Sequence, residues 1–125
     1  MKKRILDDCL RLAKILVHKH TEHFRHYSFI IQKNQIIKFG INKSIIPPVY
    51  FGFKEYSKLH SEFMAYKAAK GLLDKSKPFE VVNIRLSKKN ETKISKPCPT
   101  CQAWLKQLNC SHIWYTTSEE TFEKF

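Results

Sequence analysis

Pro97-Cys98-Pro99-Thr100-Cys101, taken together with His60-Ser61-Glu62 upstream, decides the fold of this chain. Two cysteines three residues apart fall on one side of a helix's first turn. Pro97 and Pro99 suit such a helix start, where the backbone N–H groups have no helical partner to lose. A helix N-terminus also stabilises an anionic thiolate. Two thiolates and one imidazole make a ligand set of the kind Zn²⁺ takes, and three protein ligands leave the fourth position of a catalytic zinc to water. His60 and Glu62, two apart, do not share a helical face. The reading therefore gives them different tasks, with His60 as ligand and Glu62 as carrier of protons.

Outward from these segments the chain falls into short elements. Residues 60–73, HSEFMAYKAAKGLL, are rich in helix formers and stop near Gly71. Residues 79–86, FEVVNIRL, have the composition of a buried strand, and 87–96 form a polar, basic loop. A helix over 98–109 carries Cys101, Trp104, Leu105 and Leu108 on one face. A strand follows over 112–117, and after a turn at 118–120 residues 121–125 either form a short further strand or fray. Upstream, 26–33 and 35–41 read as a hairpin broken at Asn34. Residues 4–20 place Leu6, Cys9, Leu10, Ala13, Leu16 and Val17 at helical spacing, and 44–58, with Pro47 and Pro48, read as a loop. Strands alternating with helices over short links predict an α/β fold: a mixed sheet of four to five strands, flanked by three helices in three α/β/α layers. The strands 79–86 and 112–117, joined through a helix, should be parallel.

A length of 125 residues suits one domain, 1–125, with one core. Apolar residues at 42% and aromatics at 13% exclude a disordered chain, and no apolar run approaches a membrane span. Met1-Lys2-Lys3-Arg4 is followed at once by Asp7 and Asp8, unlike a secretory leader, so the expected compartment is the cytoplasm. There C-x-x-C points to metal or redox chemistry rather than a disulfide. A net charge of +12 favours polyanionic partners. A lysine-rich composition alone gives the same number.

The set His60-Ser61-Glu62 … Pro97-Cys98-Pro99-Thr100-Cys101 resembles the H-x-E…P-C-x-x-C pattern of the cytidine and deoxycytidylate deaminase superfamily, which includes tRNA adenosine deaminases and polynucleotide cytidine deaminases. The likeness extends over roughly residues 26–117: a hairpin, then two ligand-bearing helices separated by a strand. It implies one Zn²⁺ per chain, held by His60, Cys98 and Cys101, with Glu62 as the catalytic acid and base. Gly40-Ile41-Asn42 resembles the family's G-x-N element, which implies that Asn42 contacts substrate. The same resemblance gives the carbonyl of Lys96 to the substrate amine and places Ser61, where alanine is commoner, beside the pocket.

The implied reaction is hydrolytic conversion of cytosine to uracil, with free cytidine, deoxycytidine or a monophosphate the favoured substrate. Cytosine in single-stranded DNA or RNA, or adenosine in tRNA, is the alternative. Phe51, Phe53 and Tyr56, interleaved with Lys54 and Lys58, and the basic run Lys88, Lys89 and Lys93 suit stacking and phosphate contact on a single strand. The same residues would serve equally as core caps and solvated charges.

Other readings remain at this level. Cys98, Cys101, Cys110 and His112 could close a structural zinc site, although Cys110 reads more simply as a core thiol at a helix end. Cys98 and Cys101 could be a redox dithiol. The crowded His18, His20, His23 and His26 suggest a second metal site or a solvated helix end. Cys9, Trp104 and Trp114 read as packing. A zinc-stabilised nucleic-acid-binding module without activity is the non-enzymatic alternative. A homo-oligomer is expected if a partner subunit covers the edges of so small a sheet.

Overall fold

A computed structural model describes residues 3–16, 25–41, 61–87, 89, 91–96 and 99–124. Helix α1 spans Lys3–Leu16, and the hairpin pairs β1, Arg25–Gln32, with β2, Gln35–Ile41. Its two-residue turn, Lys33-Asn34, has φ of 54° and 58°. This left-handed pair is the turn that matches the twist of two antiparallel strands, and Asn tolerates it best after glycine. Helix α2 covers Ser61–Ala69, β3 Phe79–Leu86, β4 Thr92–Lys93, α3 Pro99–Gln107, β5 Cys110–Thr116 and β6 Phe122–Lys124.

The strands form one sheet in the order β2-β1-β3-β5-β6, with the two-residue β4 also on β3. Among the described residues only β3 and β5 run parallel, as expected for a pair joined by a helix. The even burial of β1 and β3, in place of strict alternation, fits strands covered on both faces. On one face Ile5, Leu6, Cys9 and Ala13 of α1 pack against Tyr27, Phe29, Ile31, Val82, Ile84 and Leu86. On the other, Ala65 and Ala69 of α2 and Leu105 of α3 meet Ile30, Val81 and Ile113. The three α/β/α layers are those read from the sequence.

Among the described residues the sheet has six strands rather than four or five. Residues 122–124 do pair with β5, and the sixth strand is β4, inside the segment expected to be a loop. Thr92 is buried there, and its Oγ1 accepts the Glu120 N–H at 2.9 Å, so a tertiary contact makes this strand. Helix α2 ends at Ala69, short of Gly71. Cys110 does not end a helix: it opens β5, half-buried, with its thiol donating to the His112 carbonyl at 3.3 Å. Among the described residues no helix is long and apolar enough to cross a membrane.

Candidate active site

Register places three residues in one row across the sheet. Ser28 of β1 lies opposite Gly40 on one side and opposite Asn83 on the other. The start of α2 rests on this row. Gly40 permits the close approach, since a Cβ built on it would stand 2.2 Å from the Ala65 N, 2.6 Å from the Ser61 O and 2.7 Å from the Met64 C. Backbone therefore meets backbone, and the first turn of α2 is held at a fixed height above β2 and β1.

In that first turn Ser61 and Glu62 are 2% and 5% exposed, unusual burial for a carboxylate. Ser61 Oγ lies 3.0 Å from Glu62 Oε1 and 2.7 Å from Ser28 Oγ. Ser28 Oγ donates to Asn83 Oδ1 at 2.5 Å and stands 3.5 Å from Glu62 Oε1, the outer limit of a hydrogen bond. A buried polar group costs stability unless hydrogen-bonded, and each of these four has a partner.

The next residue of α2, Phe63, packs on Cys101, which is fully buried in the first turn of α3. The Phe63 ring lies 5.9 Å from that of Trp104, which also meets Tyr66 edge-on at 5.5 Å. The starts of α2 and α3 thus converge, bringing a buried carboxylate and a buried thiol to the same end of the helical layer. Ser95, before α3, is fixed by its Oγ donating to the Asn83 carbonyl at 2.8 Å and by its N–H donating to the Thr116 carbonyl at 3.1 Å.

Of the residues named from sequence, the structure brings Ser61, Glu62 and Cys101 to this place. Lys89, Lys93 and Lys96 are exposed along the segment that leads to it. His60, Cys98, Asn42, Phe51, Phe53, Lys54, Tyr56, Lys58 and Lys88 lie outside the described residues, as do His18, His20 and His23. Among the described residues no three His, Cys, Asp or Glu side chains come together. That removes the alternative structural site, because Cys101, Cys110 and His112 are all described. The physical reason is the nine-residue α3, with Cys101 in its first turn and Cys110 beyond its end. At about 1.5 Å per residue such a helix keeps its ends more than 10 Å apart. His112 faces Glu80 instead, at 3.2 Å. Burial pushes the thiols of Cys9 and Cys110 up to about 12, which suits packing groups.

Ser28 and Asn83 were not singled out from the sequence. The signal was present: each is a polar side chain inside an otherwise apolar strand, HYSFII and FEVVNIRL. A buried polar residue there calls for a partner.

No family model and no curated protein matches this sequence. Solved structures do. The dCMP deaminase of the cyanophage S-TIM5, in complex with dCMP and dUMP, superposes with a TM-score of 0.59 and 15% identity, covering 88% of this chain and 79% of that one. The cytidine deaminase of Mycobacterium leprae gives 0.62 at 12% identity, covering 95% and 92%. This is the cytidine and deoxycytidylate deaminase fold. Within the deaminase fold the chain has its buried Glu62 at the start of one helix and Cys101 at the start of the next.

Proposed function

We propose that this chain is a zinc-dependent hydrolytic deaminase of cytosine, acting on free cytidine, deoxycytidine or a monophosphate. The observation that carries the reading is the buried Glu62 carboxylate in the first turn of α2, packed through Phe63 against the turn of α3 that carries Cys101. His60, Cys98 and Cys101 would hold the metal. An imidazole with two thiolates fits zinc and leaves one position open, and burial of Cys101 keeps competing water from the donor. Bound there, Zn²⁺ supplies the Lewis acidity that makes a water nucleophilic near neutral pH.

Glu62 takes one proton from the attacking water as its oxygen bonds to the amine-bearing ring carbon, and passes it to the ring nitrogen. It carries the second proton to the amine, which leaves as ammonia when the C–N bond breaks. Asn42, Ser61 and the Lys96 carbonyl are the proposed substrate contacts. The phage enzyme bound to dCMP and dUMP supports the small-molecule substrate.

A polynucleotide substrate is the second reading, favoured by the net charge of +12 and by the exposed Lys89, Lys93 and Lys96 on the segment before α3. A deamination screen of the zinc-loaded protein on cytidine, deoxycytidine, their monophosphates, single-stranded DNA and RNA, and tRNA separates the two. Steep loss of activity with salt marks the polymer, because each neutralised phosphate releases counterion. No turnover of any of them by the zinc-loaded chain, with Glu62 intact, refutes the enzyme and leaves the binding module.

A further inference from the structure

We propose that Ser28 is a positioning residue for the reaction, acting through the Ser61 hydroxyl to fix the rotamer of the Glu62 carboxylate, with Asn83 as its anchor. The inference rests on the reading of Glu62 as the proton carrier. Glu62 sits on a side chain with three torsions, so burial alone does not aim its oxygens. Two hydroxyls do. Ser61 Oγ stands 3.0 Å from Oε1, and Ser28 Oγ stands 2.7 Å from Ser61 Oγ. Ser28 is fully buried on a central strand, and its single hydrogen is shared between Asn83 Oδ1 and Ser61 Oγ, which leaves the Ser61 hydrogen for Glu62 Oε1.

The anchor is rigid for two reasons. Ser28 and Asn83 are register partners between β1 and β3, and the Asn83 carbonyl also accepts from Ser95 Oγ on the segment leading to α3. One residue thus ties the carboxylate of α2 to the approach of α3. A proton carrier must hold its oxygen within hydrogen-bond reach of both water and base, so a loosened rotamer lowers turnover without weakening substrate binding.

The test is a double-mutant cycle on the zinc-loaded full chain with Ser28→Ala, Ser61→Ala and both together, read as kcat and KM on the best substrate of the screen. The expected result is a fall in kcat of about tenfold for Ser28→Ala, with KM within about twofold, and no further fall from Ser28→Ala in the Ser61→Ala background. A structural role alone would lower the thermal midpoint and leave the kcat of the folded protein unchanged. Zinc content and thermal midpoint are measured beside it. Should Ser28→Ala fail to fold, Ser28→Cys keeps the size with a weak donor and should show the same kcat loss. A crystal structure of the variant should show the Glu62 carboxylate turned from its present rotamer. Unchanged kcat in Ser28→Ala, or additive losses, overturns the proposal while leaving Glu62 in place. Full activity in Glu62→Gln overturns the reading beneath it and the proposal with it.

Discussion

Gly40→Ala is the sharpest perturbation the fold offers, because the added methyl would meet backbone rather than a side chain that could swing away. Its Cβ would lie 2.2 Å from the Ala65 nitrogen, 2.6 Å from the Ser61 carbonyl oxygen and 2.7 Å from the Met64 carbonyl carbon. Ordinary contact begins near 3.4 Å. Helix α2 must therefore lift from the sheet by about 1 Å, an overpacking that costs about 2–3 kcal/mol. For a domain of this size that is a fall of roughly 6–15 °C in thermal midpoint. The lift also carries Ser61 away from Ser28 and Glu62 away from its place, and a misplacement of about 1 Å can cost ~100-fold in rate. Differential scanning calorimetry reads the first effect, and kcat under conditions where the variant is folded reads the second. A midpoint within about 1 °C of wild type, with activity intact, would show that α2 does not bear on β2 as described.

Glu62→Gln should cut kcat by about 10²–10⁴-fold while zinc content holds at one per chain, checked by metal analysis of the purified variant. Cys101→Ser should lose zinc together with activity, at least as steeply as the ~10–100-fold that weaker supports of a metal cost, measured by competition with a chromophoric chelator. Cys9 and Cys110 have folded-state values raised to about 12 from 9, so the unfolded chain releases their protons first and stability is lost as pH rises from about 9 to 12. The slope is about 1.4 kcal/mol per pH unit for each thiol, and denaturant midpoints for Cys9→Ala should fall less steeply than for wild type. Asn34→Val places a β-branched residue at φ 58° and should destabilise the hairpin by about 1–2 kcal/mol in the same assay.

How much of this was legible in the sequence follows from the range of the interactions involved. Strand β3 was read at its observed bounds, and the hairpin was read within a residue, because apolar runs broken by a turn residue are local signals. The apolar spacing of Leu6, Cys9 and Ala13 placed α1 on the sheet. The placement of Glu62 and Cys101 at the starts of two helices was legible because residue type and spacing around them carry local helix-start signals. Ser28 and Asn83 were not, although both are buried, because what joins them is strand register between residues 55 apart in sequence. The strand β4 was hidden for a similar reason: Thr92 is held by the backbone of Glu120, which no local pattern announces. Cys110 was misread as ending a helix because α3 stops at Gln107 and the chain turns into a strand within three residues.

The grip of Thr116 on the stretch before α3 sets an order of events during synthesis. Thr116 Oγ1 donates to the Lys93 carbonyl at 2.7 Å, and the Thr116 N–H donates to Ser95 Oγ at 2.8 Å, so a residue made late holds a segment made earlier. Until β5 is in place, the approach to α3 lacks this clasp, and the turn that carries Cys101 has only its packing on Phe63 to position it.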